Sequence, residues 1–152
     1  MLRLSESWQV EVLALPGHTP GHLALWDERS GAAIIIDAAL ADGVYDRAGH
    51  RLIPPRYYTA AGYEATIRRL CALDPSLLLT AHYPVMEREA ARAFLDRSLA
   101  FVHAVGDAVR AGLSAGTTEL WPLTQAVDAA VGPFPAFTHE LAASVRAHLA
   151  EP

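Results

Sequence analysis

The chain has 152 residues, of which 52% are apolar and 19% are charged. It is therefore long and apolar enough for one domain with a substantial core, and a disordered chain is not expected. The formal net charge of 12 − 17 = −5 gives no general attraction to nucleic acid. No signal peptide or membrane span is visible, so a cytoplasmic protein is predicted. Cys71 is the single cysteine, which excludes an internal disulfide, and its apolar helical setting predicts a buried thiol.

The first part of the chain predicts three short strands, at residues 10–15, 22–26 and 32–36. Pro16 and Gly17 end the first strand, and the sequence DERSG at residues 27–31 forms a turn between the second and the third. The third strand, AAIII, is wholly apolar, and we expect it to be buried on both faces.

The rest of the chain predicts a long loop, one more strand and mostly helix. Residues 38–58 form the loop, which ends near the pair Pro54-Pro55. A helix at 59–73 and a buried strand at 76–80 follow. Three further helices are predicted at 87–113, 119–131 and 138–149. We therefore expect a β-rich unit over residues 1–86 and a helical extension over 87–152 that packs on it.

Three possible metal ligands stand at the C-terminal ends of predicted strands. They are His18, Asp37 and His82. Loops at one edge of a sheet converge in space, so we expect these side chains to share one cleft. Imidazole and carboxylate suit zinc or iron. For each residue alone a structural role is the more common one, since a histidine in a loop usually packs and an aspartate after a strand can cap a turn.

Two local motifs resemble the metallo-β-lactamase superfamily. The sequence LPGHTPGH at residues 15–22, followed by two strands that end in Asp37, is similar to the middle of that family's domain. The sequence TAHYPV at residues 80–85 resembles its last histidine motif. The resemblance covers about residues 10–86. It implies an α/β fold, namely the C-terminal half of an αβ/βα sandwich, followed here by a helical tail.

The resemblance also implies a role for each motif residue. His18 would bind the first metal of a dinuclear site, His82 would bind the second, and Asp37 would bridge both and act in catalysis. His22 would support the ligands without binding a metal itself. In the family the metals, most often two zinc ions with iron or manganese as alternatives, hold a hydroxide that attacks an ester-like substrate.

The departures from the family are as informative as the matches. The sequence contains no His-x-His-x-Asp-His motif, which would supply the remaining ligands. Each ion would keep two protein ligands, fewer than the three of an ordinary catalytic zinc site, so we expect weak or partial occupancy. Ile36 stands where the family has glycine, and a β-branched residue is poorly tolerated at positive φ, which would change the aim of Asp37. Tyr83 replaces a small residue and would narrow the substrate pocket.

Two functions are compatible with these features. The first is a metal-dependent hydrolase of thioesters, lactones, lactams or phosphoesters, present as a partial unit that is inactive when isolated. The alternative is a non-catalytic, degenerate structural or binding module that forms a homodimer. In both cases a half-sandwich would expose an apolar sheet face of about 1,000 Å² or more, the size of a specific interface. A second copy or a complementing N-terminal half would cover it. Neither nucleic acid nor a membrane is expected as a partner.

Overall fold

The computed structural model describes residues 1–150. The strands in chain order are β1 (Leu2–Arg3), β2 (Gln9–Ala14), β3 (Leu23–Asp27), β4 (Ala32–Ile36), β5 (Val44–Tyr45), β6 (Arg51–Ile53), β7 (Leu77–Thr80) and β8 (Met86–Glu87). The helices are α1 (Ala60–Leu73), α2 (Arg88–Ser114), α3 (Leu120–Val131) and α4 (Thr138–Leu149). In the described part of the chain, no helix is both long and apolar enough to cross a membrane.

The main sheet is mixed, and its strand order aligns the ends of three strands. The order is β1-β2-β3-β4-β7-β8. Strand β3 runs antiparallel to β2 and β4, so β2 and β4 point the same way, and β7 lies parallel to β4. A parallel pair needs a long crossover, which residues 37–76 with α1 supply. The C-terminal ends of β2, β4 and β7 therefore lie at one edge of the sheet.

One face of this sheet is buried under α1 and α2. Ala33, Ile35 and Leu78 on the strands are fully buried in one apolar core with Tyr63 of α1 and Phe94 of α2. The helices present these side chains because their apolar residues recur at helical spacing. A second core joins the far end of α2 to α3 and α4, through residues such as Val105, Leu123 and Val145. The division into residues 1–86 and 87–152 stays a prediction.

The opposite face of the sheet is apolar and open. The strand register sets Val12 beside Leu25, Leu25 beside Ile34, and Ile34 beside Leu79. Val12 and Ile34 are each 38% exposed, and Leu23 on the same face is 58% exposed. We call Val12, Leu23, Leu25, Ile34 and Leu79 the open sheet face. The expectation that the strand at 32–36 is buried on both faces is therefore wrong for this chain, because its helices cover a single face.

Two smaller expectations also need correction. The segment 38–58 is not a continuous loop, since β5 and β6 pair within it as a small antiparallel sheet. Cys71 is exposed, because it lies at the edge of the buried stripe of α1 that Tyr63, Ile67 and Leu70 form. The short strands β1 and β8 were not predicted, whereas the predicted strands and the four helices lie within one or two residues of their expected bounds. The α/β class with a helical tail is confirmed.

Two leucines on opposite faces of the sheet provide a test of this arrangement. Leu78 is fully buried, whereas Leu23 is 58% exposed. We expect Leu78→Ala to lower the free energy of unfolding by about 2–5 kcal/mol, since it leaves a cavity in the core. As long as no partner covers the open sheet face, Leu23→Ala should change it by about 0.5 kcal/mol or less, as for other surface positions. Urea denaturation of both variants measures the difference. A large loss with Leu23→Ala would mean that this face is covered in solution.

Candidate metal centre

The loop that carries His18 is seated directly on the start of α1. Gly17 has φ 138°, and a Cβ at this position would lie 2.4 Å from the Tyr63 Cα. Glycine is therefore required for the loop to approach the helix so closely. The Gly17 carbonyl accepts a hydrogen bond from the Tyr58 N–H at 2.8 Å, and the Thr66 hydroxyl donates to the Pro16 carbonyl at 2.7 Å. The close packing of this loop on α1 thus explains why position 17 is a glycine.

The proton on the His18 ring is fixed by a backbone acceptor. His18 Nδ1 lies 2.7 Å from the Arg56 carbonyl oxygen. A carbonyl can only accept, so Nδ1 carries the proton and Nε2 of the neutral ring keeps its lone pair. Burial lowers the pKa of His18, which favours the neutral form, and the bond to the Arg56 carbonyl and then the charge of Asp37 oppose this more weakly. A neutral imidazole whose second nitrogen donates to a carbonyl is the usual state of a metal-binding histidine.

His22 connects the same loop to β4. Its Nε2–H donates to the Ile35 carbonyl at 2.9 Å, and its ring packs edge-on against that of His18 with centroids 5.8 Å apart. The bond joins the loop after β2 to the end of β4, the strand that leads to Asp37. In this arrangement His22 is a structural hydrogen-bond donor beside His18.

Asp37 follows a strained residue at the end of β4. Ile36 has φ 52°, a left-handed conformation that is rare for a β-branched side chain. The pairing of β4 with β7 shifts register between Ile34 and Ile36. The chain then turns, with the Ala38 N–H donating to the Ile35 carbonyl at 3.0 Å. The sequence expectation that Ile36 occupies a glycine-type position therefore agrees with the backbone, and the surrounding core must hold this strain in place.

His82 faces Asp37 across the edge of the sheet. Its Nε2 lies 3.3 Å from Asp37 Oδ1, and the Asp37 side chain is 25% exposed. The direction of approach is not that of a hydrogen bond, so the buried Oδ1 has no hydrogen-bond donor. Buried carboxylate oxygens usually have one, and an exception calls for an ion or another donor. The arrangement thus leaves an acceptor suited to a cation.

The structure brings His18, Asp37 and His82 to one edge but does not complete a metal site. Asp37 and His82 are in direct contact, and His18 lies within the electrostatic influence of Asp37. Within residues 1–150, however, no three His, Cys, Asp or Glu side chains are grouped so that they could hold one ion. The donor types fit zinc, but their number and spacing do not fit a complete site.

Tyr83 contacts the loop after Asp37. Its hydroxyl donates to the Gly43 carbonyl and lies 3.3 Å from the Leu40 carbonyl. Its ring packs edge-on against Phe94 of α2 with centroids 4.9 Å apart. Burial raises the pKa of Tyr83 to about 12, so the hydroxyl stays protonated at neutral pH. The side chain therefore fastens the loop to α2, and its place in a substrate pocket stays a prediction.

The sequence interpretation missed the residues that hold His18 from outside its own loop. Arg56 supplies the acceptor for His18 Nδ1 through its backbone, and Ser144 of α4 bonds the segment on both sides of Arg56. A carbonyl that accepts a hydrogen bond leaves no mark on residue type, so no sequence signal pointed to Arg56. Ser144 lies within an ordinary helical sequence, so no sequence pattern marked it either.

Comparison with known proteins places the fold. No family model matches the sequence, and no curated protein is significantly similar to it. A metallo-β-lactamase family protein from Thermus thermophilus is 25% identical and superposes with a TM-score of 0.67, over 97% of this chain and 46% of that chain. The stereoselective inverting sec-alkylsulfatase Pisa1 from Pseudomonas sp. is 15% identical, with a TM-score of 0.62 over 91% of this chain and 23% of that chain. The chain thus spans about half the length of the first of these proteins.

The backbone strain at Ile36 can be measured by comparing the stability of the variants Ile36→Gly and Ile36→Ala. At a left-handed position a Cβ costs about 1–2 kcal/mol, which exceeds the extra unfolded-state entropy of glycine. We therefore expect Ile36→Gly to be more stable than Ile36→Ala by about 1 kcal/mol. Ile34 is similarly exposed but lies within the regular part of β4, so there the alanine variant should be the more stable one. Chemical denaturation of the four variants decides, and the same order at both positions would contradict the strain.

Proposed function

Because the chain has the fold of the metallo-β-lactamase superfamily, we propose that it is one half of a metal-dependent hydrolase of that family. His18, Asp37 and His82 would be its contribution to a dinuclear site, and the remaining ligands would lie outside these 152 residues. The observation that carries the proposal is the buried Asp37 Oδ1, which has no hydrogen-bond donor although it faces His82 at 3.3 Å. A carboxylate that would hold a metal needs an oxygen that no hydrogen-bond donor already occupies.

The state of the two histidines supports the proposal. The neutral His18 ring keeps the Nε2 lone pair because Nδ1 donates to Arg56. His82 is 42% exposed, so its ring is accessible to a ligand. When bound, the metals of this family supply a hydroxide at neutral pH. Within residues 1–150, no three donors are grouped to hold one ion. The residues of this chain orient a carboxylate and two imidazoles at one edge. The substrate class, whether thioester, lactone, lactam or phosphoester, stays open.

A specific observation favours the alternative, a non-catalytic module. Residues 1–150 contain no group of three metal donors, and Ile36 imposes strain directly before Asp37. A degenerate site would show both features. The two functions differ in whether His82 and Asp37 bind metal at all, which is measurable.

Zinc binding tests the proposed site. We expect the chain to bind zinc weakly and lose most of it on dialysis, since each ion has two protein ligands. His82→Ala should remove this binding. His103→Ala is a matched control, because His103 Nε2 also lies 3.3 Å from a carboxylate oxygen, that of Glu64, and its side chain is 50% exposed. Titration calorimetry and elemental analysis provide the measurement. The isolated chain should show little turnover of a generic thioester or phosphodiester.

Three results would contradict parts of this proposal. Equal zinc binding by His82→Ala and His103→Ala would exclude the site and favour the non-catalytic module. Two tightly held zinc ions per chain would mean that further ligands come from another copy. Robust hydrolysis that His82→Ala abolishes would show that the chain is already complete.

The open sheet face supports a protein partner. Val12, Leu23 and Ile34 are apolar and partly exposed on one continuous surface. Monomeric proteins rarely leave large continuous apolar patches uncovered. We propose that a second copy of this chain or a complementing N-terminal half covers the face. A second copy can do so about a two-fold axis, since such a contact is self-complementary.

Light scattering at micromolar concentration tests the partner. If a second copy covers the face, the wild-type chain should be a dimer, and Ile34→Lys should make it a monomer by burying a charge in the contact. Leu113→Lys is a matched control, because Leu113 at the end of α2 is 39% exposed and Ile34 is 38% exposed. A wild-type monomer would favour the complementing half. Dissociation by both variants would contradict the assignment of the interface to this face.

A further inference from the structure

The C-terminal helix α4 holds the segment that orients His18. Three residues on one side of α4, Glu140, Ser144 and His148, are spaced four apart and so lie in a row. Each of them contacts the segment 55–57. This row lies far along the chain from every motif of the candidate metal centre. Through its contacts with the segment 55–57, the helical tail acts on the position of His18.

Ser144 bonds the backbone on both sides of Arg56. The Ser144 side chain is fully buried. Its hydroxyl donates to the Pro55 carbonyl at 2.9 Å and accepts from the Tyr57 N–H at 3.2 Å. A buried hydroxyl with both functions satisfied restrains the groups it bonds. The peptide units on both sides of Arg56 are thus held by one side chain.

The other two residues of the row bind side chains of the same segment. Arg56 Nη1 lies 2.8 Å from Glu140 Oε2, and the Tyr57 hydroxyl lies 2.8 Å from His148 Nε2. The Arg56–Glu140 pair is partly exposed, so its contribution to stability is small. It fixes the direction of the Arg56 side chain, while Ser144 fixes the backbone.

From this geometry we infer that Ser144, assisted by Glu140, is a positioning residue for His18. It holds the Arg56 carbonyl where His18 Nδ1 donates to it at 2.7 Å. We call this chain of contacts, from Ser144 through the Arg56 carbonyl to His18, the relay. It keeps the proton on Nδ1 and the lone pair on Nε2. Its use in metal binding rests on the proposed function, whereas the relay itself does not. Without the Arg56 acceptor, the neutral ring would return toward the Nε2–H form that free histidine prefers in water, and Nε2 would lose its lone pair.

The test is the tautomer of His18, read from long-range ¹H–¹⁵N NMR spectra of the full chain at a pH where the ring is neutral. In the wild type we expect the Nδ1–H form. In Ser144→Ala the ratio of Nδ1–H to Nε2–H should fall about fivefold, which corresponds to about 1 kcal/mol, the usual contribution of one hydrogen bond. Glu140→Ala, a surface change that leaves the buried serine in place, should cause a smaller fall in the same direction.

Ser98→Ala is the matched control. Ser98 is also fully buried, and its hydroxyl accepts from a loop N–H, that of Ala41, at 2.8 Å. It restrains a different loop, so His18 should keep its tautomer when this serine is removed. An unchanged His18 tautomer in both Ser144→Ala and Glu140→Ala would overturn the inference. So would an equal change in Ser98→Ala, which would indicate general loosening. If the tautomer changes as expected but the chain binds no zinc, the inference about Ser144 stands and the proposed metal site is wrong.

Discussion

The arrangement of the whole chain depends on the burial of one sheet face under α1 and α2. Ala33, Ile35 and Leu78 lie in the same core as Tyr63 and Phe94. The burial of apolar surface is the main favourable contribution to the free energy of folding. It fixes β4 and β7 side by side, and so it fixes where Asp37 and His82 emerge. The strain at Ile36 persists because the nearby residues Ile35 and Ala38 are fully buried. The same packing leaves the other face open, because no helix in the described part of the chain covers it.

Backbone carbonyls position the histidines at the sheet edge. Ile35 accepts from His22, and Arg56 accepts from His18. Each bond fixes one ring nitrogen as a donor and leaves the other with its lone pair. The two rings are therefore held in opposite tautomers, His18 with its proton on Nδ1 and His22 with its proton on Nε2. Which nitrogen is available to a ligand is decided by backbone carbonyls of β4 and of the segment 55–57, and α4 restrains that segment from the far end of the chain.

The sequence predicted the four helices and the strands β2, β3, β4 and β7 closely, because their apolar residues follow a clear pattern. The resemblance marked Ile36 as a position where the family has glycine, and the backbone there is left-handed, but the residue type alone argued against that conformation. The sequence failed on the small sheet of β5 and β6, whose strands are too short to show a period. It could not reveal the relay from Ser144 through Arg56 to His18, because backbone hydrogen bonds between distant segments do not depend on residue type. Burial on one face or both is likewise decided by what the chain packs against.

The open sheet face and the incomplete metal site share one strand, β4. Ile34 of β4 belongs to the open face, and Asp37 follows it by three residues, directly after the end of β4. Under the proposed function, a partner that covers Ile34 would lie three residues along the chain from Asp37, and we propose that it supplies the missing metal ligands. Under the proposed function, a metal held by ligands from both sides would be bound more tightly in the assembled form. Thermodynamic reciprocity then requires the metal to strengthen the assembly by the same factor. A partner that bound the open sheet face equally well with and without zinc would instead place the missing ligands elsewhere, and the face would serve to bury apolar surface alone.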